Sequence, residues 1–189
     1  MNDASDHELM ARYANGDADA FECLYHRHKG RLYGFLRQRI FDPQAADDVY
    51  QEVWAKVIRA RRQYEPDAPF ASWLFQIARN ACIDHMRHGE RRVTLVTDTG
   101  DSIDNASGAT TPHESASALD TKAAIDAAIA SLPDEQREAF LLHQVAGLSL
   151  PDIARVTGAK RETVKSRLRY ALSRLRAALP NPHQQDVGT

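Results

Sequence analysis

The chain contains no apolar run of the roughly 18 residues a membrane span needs and no basic-then-apolar leader, so neither a transmembrane helix nor a secretory signal is expected. A cytoplasmic protein without membrane insertion is therefore expected. It has only two cysteines, Cys23 and Cys82, in no CxxC pair or disulfide framework. They read as small core hydrophobes in a reducing compartment. No segment alternates apolar and polar residues long enough to argue for a sheet, which leaves an all-α fold class. A glycine-rich phosphate cradle and a nucleophile elbow are both missing, so the chain is expected not to be an enzyme and to carry no cofactor and no catalytic residue. Cys82, His85 and His88 lie at i, i+3 and i+6, with His26 and His28 as further nitrogen donors. A metal centre is conceivable there, but the spacing is no standard zinc pattern, and histidines beside Arg87, Arg91 and Arg92 read as solvated or near phosphate. No metal is expected.

What is present is an ordinary globular composition, 43% hydrophobic and 26% charged over 189 residues, enough for one large or two small domains. The texture changes between Val93 and Ala118. TLVTDTGDSIDNASGATTPHESASA carries four acids and no Lys or Arg. It cannot bury enough apolar surface to offset its ordering entropy and reads as a flexible acidic linker. The expected organisation is a domain over 1–92, a linker over 93–118, a second domain over 119–180 and a polar tail over 181–189.

In the first domain, Ser5 and Glu8 have capping-box spacing at the start of a short helix reaching Ala14. A helix from about Asp17 to Arg39 turns Phe21, Leu24, Tyr25, His28, Leu32, Phe35 and Leu36 inward. Asp42-Pro43 sets an N-cap followed by proline in the first turn. The helix that follows buries Ala46, Val49, Tyr50, Val53, Trp54, Val57 and Ile58 and leaves Asp47, Asp48, Gln51, Glu52, Lys56 and Arg59 outward. A further helix from about Phe70 to His88 turns Trp73, Leu74, Ile77, Ala78 and Ala81 inward. The loop QYEPDAPF, flanked by Arg59, Arg61 and Arg62 before it and by Trp73, Arg79 and Asn80 after it, is kept non-helical by two prolines.

In the second domain, LPDEQREAFLLHQVAGLSLPDIARVTGAKRETVKSRLRYALSRLR breaks into three helices at Gly147 and Gly158, with Ser149 and Asp152 spaced as a capping box and Pro151 in the first turn of the middle one. From Lys160 to Arg176 there are seven Lys or Arg and a single acid, Glu162, in a chain of net charge −2. Val164, Leu168, Ala171, Leu172, Leu175 and Leu179 form its apolar stripe. Charges opposite such a stripe often do no more than keep a helix soluble. A short helix, a tight turn and a longer basic helix, however, make a helix-turn-helix, whose second helix enters the DNA major groove by its N-terminal part. Lys160, Arg161, Thr163, Lys165, Ser166, Arg167 and Arg169 occupy that end, with cations for phosphates and guanine edges and hydroxyls for short contacts.

GLSLPDIARVTGAKRETVKSRLRYALSRLR resembles region 4 of the extracytoplasmic function (ECF) sigma factors of bacterial RNA polymerase, with Asp152 where Glu is usual and Lys160 and Glu162 where many members have Pro and Gly. DDVYQEVWAKV and FASWLFQIARNACIDHMR resemble region 2 of the same family. The resemblance implies an alternative sigma factor that docks on the β′ clamp helices and the β flap of core RNA polymerase, directs it to promoter DNA and is controlled by an anti-sigma factor. It implies polymerase binding by Asp47, Asp48, Gln51, Glu52 and Lys56, and capture of a flipped base of the minus-10 single strand by Arg61, Arg62, Tyr64, Phe70, Trp73, Arg79 and Asn80. The basic helix would then read the minus-35 element. The linker, with Asp98, Asp101 and Asp104, either follows the RNA exit path as in the family or serves as a plain tether. The rival reading is a stand-alone helix-turn-helix regulator, which would need a sensor pocket or a dimer interface.

Overall fold

A computed structural model of the chain describes residues 4–65, 67–96 and 116–179, and their regular elements are helices throughout. In order they are α1 (Asp6–Ala14), α2 (Ala18–Arg39), α3 (Pro43–Arg59), a 3-10 turn (Arg61–Gln63), α4 (Phe70–Val96), α5 (Ala116–Ala130), α6 (Asp134–Gln144), α7 (Leu150–Thr157) and α8 (Arg161–Ala178).

The helices begin where their capping chemistry stands. The Ser5 N–H donates to Glu8 Oε2 at 2.7 Å while the Glu8 N–H donates to Ser5 Oγ at 3.2 Å, closing the capping box of α1. Asp17 accepts the Ala20 N–H at 3.2 Å to start α2, and Asp42 accepts the Gln44 N–H at 3.1 Å to start α3, with Pro43 in its first turn. Ser149 accepts the Asp152 N–H at 3.3 Å at the head of α7. Gly158 closes α7 in the left-handed region at φ 69°. A side chain there would be disfavoured by the backbone alone, and the tight turn into α8 depends on that freedom.

Leu24, Leu32, Phe35 and Leu36 of α2, Val49, Val53 and Val57 of α3, and Leu74, Phe75, Ala78 and Cys82 of α4 form the buried core of the first half. Each large aliphatic or aromatic side chain there contributes about 1.5–3 kcal/mol by leaving water. Phe21 and Tyr25 sit at the edge of this core, and Ile58, 39% exposed, lies outside it, a departure from the inward position its spacing suggests. In the second half Leu141, Leu142, Ile153, Val164, Leu168 and Ala171 knit α6, α7 and α8 together.

Two elements differ from the sequence expectation. The fourth helix continues to Val96, beyond His88 and the boundary at 92, and α5 adds a helix ahead of the expected three. Ala128, Ile129 and Leu132 bury the end of α5 and the turn after it. The halves also touch, α4 packing on α7 and α2 on α6. Arg39 donates to both carboxylate oxygens of Asp134, at 2.7 and 3.3 Å, and Arg79 Nε donates to Glu138 Oε1 at 3.0 Å.

Candidate polymerase and nucleic-acid interfaces

The 3.6-residue period of α3 puts its valines into the core and leaves Asp48, Gln51 and Glu52 on one exposed face. Asp47 and Lys56 flank that face, half-buried, and Lys56 Nζ pairs with Glu52 Oε1 at 2.7 Å. The residues expected to bind polymerase are therefore contiguous, and they form an acidic and amide surface carrying one cation at its edge.

Lys56 also opens onto a cleft between α3 and α4. Its walls include Lys56, Arg59 and Gln63 on one side and Trp73, Asn80 and Asp84 on the other, around a volume of about 560 Å³. Two cations against one carboxylate, two amides and a half-buried indole suit a strand of unpaired nucleotides, which needs phosphate neutralisation and an aromatic face for a base. The loop over the cleft is held by Tyr64, whose hydroxyl donates to the Ala68 carbonyl at 3.1 Å and whose ring stands edge-on to Trp73 with centroids 5.4 Å apart. Burial, helped by the charge of Asp6, pushes the Tyr64 phenol above its ordinary value, so it stays a hydrogen-bond donor at neutral pH. Arg62 is exposed, and Arg61 donates to the Ile58 carbonyl at 3.1 Å and lies over the Tyr13 ring.

Two residues expected at the single strand stand elsewhere. Phe70 is 2% exposed, packed against His28 with ring centroids 5.1 Å apart, and so has no free face for a base. The aromatic that starts α4 is drawn into the core by the helix's own inward stripe. Arg79 faces the second half of the molecule, where Glu138 takes its guanidinium. Gln63, the first residue of the loop QYEPDAPF, and Arg59, which flanks it, line the cleft with Trp73 and Asn80.

Lys160, which caps the N-terminus of α8, and Arg161, Thr163, Lys165 and Arg169 on the helix are exposed, and Ser166 is half-buried. Arg167 differs: its guanidinium reaches back to Glu135 of α6 at 2.6 Å. The structure adds Tyr170, 54% exposed, one turn beyond Ser166, with the Arg169 guanidinium 5.1 Å from its ring centroid. An amphipathic pattern hides such a residue, because tyrosine can belong to either face.

Burial pushes the Cys82 thiol up to about 12, so it remains protonated and packs as a hydrophobe. Among the described residues, no helix is long and apolar enough to cross a membrane, and no group of three His, Cys, Asp or Glu is placed to hold a metal. Asp98, Asp101 and Asp104 of the linker lie outside the described residues.

Each half coincides with one family model: Sigma-70 region 2 matches residues 24–92, which hold the α3 face and the cleft, and Sigma-70, region 4 matches residues 122–175, which hold the helix-turn-helix. The RNA polymerase sigma factor CarQ of Myxococcus xanthus is 35% identical over 90% of this chain and 95% of its own. The chain belongs to the ECF sigma factors. The ECF RNA polymerase sigma factor SigM of Mycobacterium tuberculosis is 31% identical over 92% of this sigma factor and 84% of its own length. Two solved structures share the fold at 26% identity. CnrH in complex with the cytosolic domain of CnrY matches with TM-score 0.69 over 92% of this chain and 96% of that one. The sigma factor RpoE with the anti-sigma factor NepR from Bartonella quintana matches with TM-score 0.68 over 84% and 95%. As a sigma factor the protein directs core RNA polymerase to promoters, and the phosphodiester chemistry is the polymerase's own.

Proposed function

We propose that this sigma factor divides initiation among three surfaces. The α3 face of Asp48, Gln51 and Glu52, flanked by Asp47 and Lys56, docks on the polymerase clamp helices. The cleft of Lys56, Arg59, Gln63, Trp73 and Asn80, with Arg61, Arg62 and Tyr64 of the adjoining loop, holds the melted minus-10 strand. Lys160 at the N-cap of α8 and Arg161, Thr163, Lys165, Ser166 and Arg169 of the helix, with Tyr170, bind the minus-35 duplex. Phe70 supports the loop from inside.

The observation that carries this division is the single-sided placement of α3, whose exposed polar face continues through Lys56 into the cleft. Docking and strand capture then share one rigid helix, so binding polymerase also positions the cleft over the DNA it opens. The protein works in the cytoplasm, without a cofactor or catalytic groups of its own. Because two solved relatives were captured with CnrY or the anti-sigma factor NepR, an anti-sigma factor is proposed to control it as well. Transcription in vitro with core polymerase on a genomic library tests the reading: discrete start sites that require this protein support it. DNA binding that is indifferent to core polymerase would favour a stand-alone regulator instead.

A further inference from the structure

Helix α1 belongs to none of the three surfaces, yet its side chains reach the loop that covers the single-strand cleft. His7, exposed, stands with its ring 6.1 Å from that of Tyr64, and the half-buried Tyr13 holds its ring 5.7 Å from the Arg61 guanidinium. Both separations lie within the range over which aromatic and cation–π pairs attract. Tyr13 is itself stacked on Phe21 of α2, with centroids 4.8 Å apart and planes inclined by 29°, so its ring is held from behind. The helix therefore meets this segment at two points, Arg61 in the 3-10 turn and Tyr64 directly after that turn.

α1 is anchored as a support needs to be. Leu9 and Met10 seat its inner face in the core, 2% and 0% exposed. Its first turn is pinned to α2, where Arg27 Nη1 donates to the Ala4 carbonyl at 2.7 Å and to Asp6 Oδ1 at 2.8 Å, and His28 Nε2 lies 2.6 Å from Asp6 Oδ2. At the other end Arg12 Nε donates to Asp17 Oδ2 at 2.8 Å across the turn into α2. Nine residues are too few for a helix to be stable alone, so these contacts hold it.

The hydrogen bonds of the loop, in contrast, are local. Tyr64 donates to the Ala68 carbonyl four residues on, and Arg61 Nη1 to the Ile58 carbonyl three residues back. They close the chain on itself and leave the placing of both side chains against the domain to ring contacts. Tyr64 in turn stands edge-on to Trp73, the indole that lines the cleft.

Building on the strand-capture reading, we propose that α1 is a brace for the single-strand loop, in which His7 and Tyr13 are positioning residues that set Tyr64 and Arg61 before DNA arrives. A loop already ordered binds a strand more tightly than one that the strand must order, in proportion to the fraction of molecules in the competent arrangement. α1 thereby tunes strand capture without being part of the DNA or polymerase surface.

The test uses the holoenzyme and an unpaired oligonucleotide of minus-10 sequence. His7→Ala and Tyr13→Leu are each expected to weaken its binding about threefold, as for a competent fraction reduced to about a third, with affinity for core polymerase unchanged. Tyr13→Phe keeps the ring under Arg61 and should bind as the wild type does. The loss from Tyr13→Leu should vanish in an Arg61→Ala background and that from His7→Ala in a Tyr64→Ala background, because each acts through its partner. A role confined to stability would lower the active fraction and leave the affinity of the active molecules as it was. Unchanged strand affinity in both variants, or losses that persist at full size in the partner backgrounds, overturns the brace.

A second measurement needs no DNA. Trp54 and Trp73 are the chain's two tryptophans, so in a Trp54→Phe background the emission comes from Trp73 alone. His7→Ala, a change at an exposed position that should leave the fold intact, is expected to raise acrylamide quenching of that emission as the loop loosens. A wild-type holoenzyme that binds no unpaired strand would overturn the strand-capture reading, and quenching would still decide the brace: no change on His7→Ala contradicts it.

Discussion

Asp6 Oδ2 of α1 lies 2.6 Å from His28 Nε2 of α2, and His28 in turn presses edge-on against Phe70, so the first helix is tied to the buried start of α4. Arg27 adds a second contact to the same carboxylate at 2.8 Å. The hydrogen bond from His28, followed by that from Arg27, holds the Asp6 carboxyl below its ordinary value of 3.8 although burial pushes the other way. Because the folded-state value lies below the unfolded one, the stabilisation is complete above that ordinary value and fades as pH falls through the depressed one.

Asp6→Asn is expected to lower stability at neutral pH by about 1.5–3 kcal/mol, the range for hydrogen bonds to a charged group. In urea titrations at several pH values, the gap between wild type and variant should be constant from neutrality down to about pH 4 and close below it, as the carboxylate is protonated. A gap that persists unchanged in strong acid would show that Asp6 acts by packing and not by charge.

Trp73 and Phe70 are only three residues apart, yet opposite outcomes are expected of them. Trp73→Ala should leave the fold intact and slow open-complex formation on duplex promoters more than on pre-melted ones, by the ~1–3 kcal/mol a stacked base contributes. Phe70→Ala should cost ~3–5 kcal/mol of stability and, once corrected for folded fraction, affect both templates alike. Equal losses on the two templates for Trp73→Ala would remove the indole from strand capture.

On α8 the cations separate by partner. Arg161→Ala, Lys165→Ala and Arg169→Ala in the holoenzyme should each reduce the slope of log affinity against log salt by about 0.9, one phosphate's share on B-DNA. Arg167→Ala should leave the slope unchanged, because that guanidinium is engaged by Glu135. A slope indifferent to the first three would place the duplex on another face.

The parts of this architecture that the sequence displays are those written within a few residues of one another. Ser5 with Glu8, Asp42 with Pro43, and Gly158 ahead of the basic run each fix a local backbone event, and the helices start or stop there. The outward face of α3 is legible for the same reason, since a 3.6-residue period separates its valines from Asp48, Gln51 and Glu52. ASALDTKAAIDAAIA carries alanine on every side, so α5 shows no one-sided stripe and is not picked out by periodicity.

What stayed hidden depends on partners far along the chain. Arg39 and Asp134 are 95 residues apart, and Arg79 and Glu138 are 59 apart. Nothing local distinguishes an arginine committed to a distant carboxylate from one free to meet a phosphate, and Arg79 and Arg167 were therefore assigned to DNA. Phe70 was ambiguous in the same way, because a ring at the first turn of a helix can serve the core or the surface until the neighbouring helix is in place.

The central claim is that the exposed face of α3 is the polymerase-binding surface, and Gln51→Ala combined with Glu52→Arg tests it most directly. Both side chains are exposed, so the exchange should move stability by no more than about 0.5 kcal/mol beyond the small loss of the Lys56 pair. Polar anchors at the centre of an interface can cost about 2 kcal/mol or more each, over a hundredfold for the two together. The measurement is the affinity of the full chain for core RNA polymerase, beside its thermal unfolding midpoint. The expected result is at least a hundredfold loss of affinity with the midpoint nearly unmoved; wild-type affinity in the folded double variant would contradict the docking face.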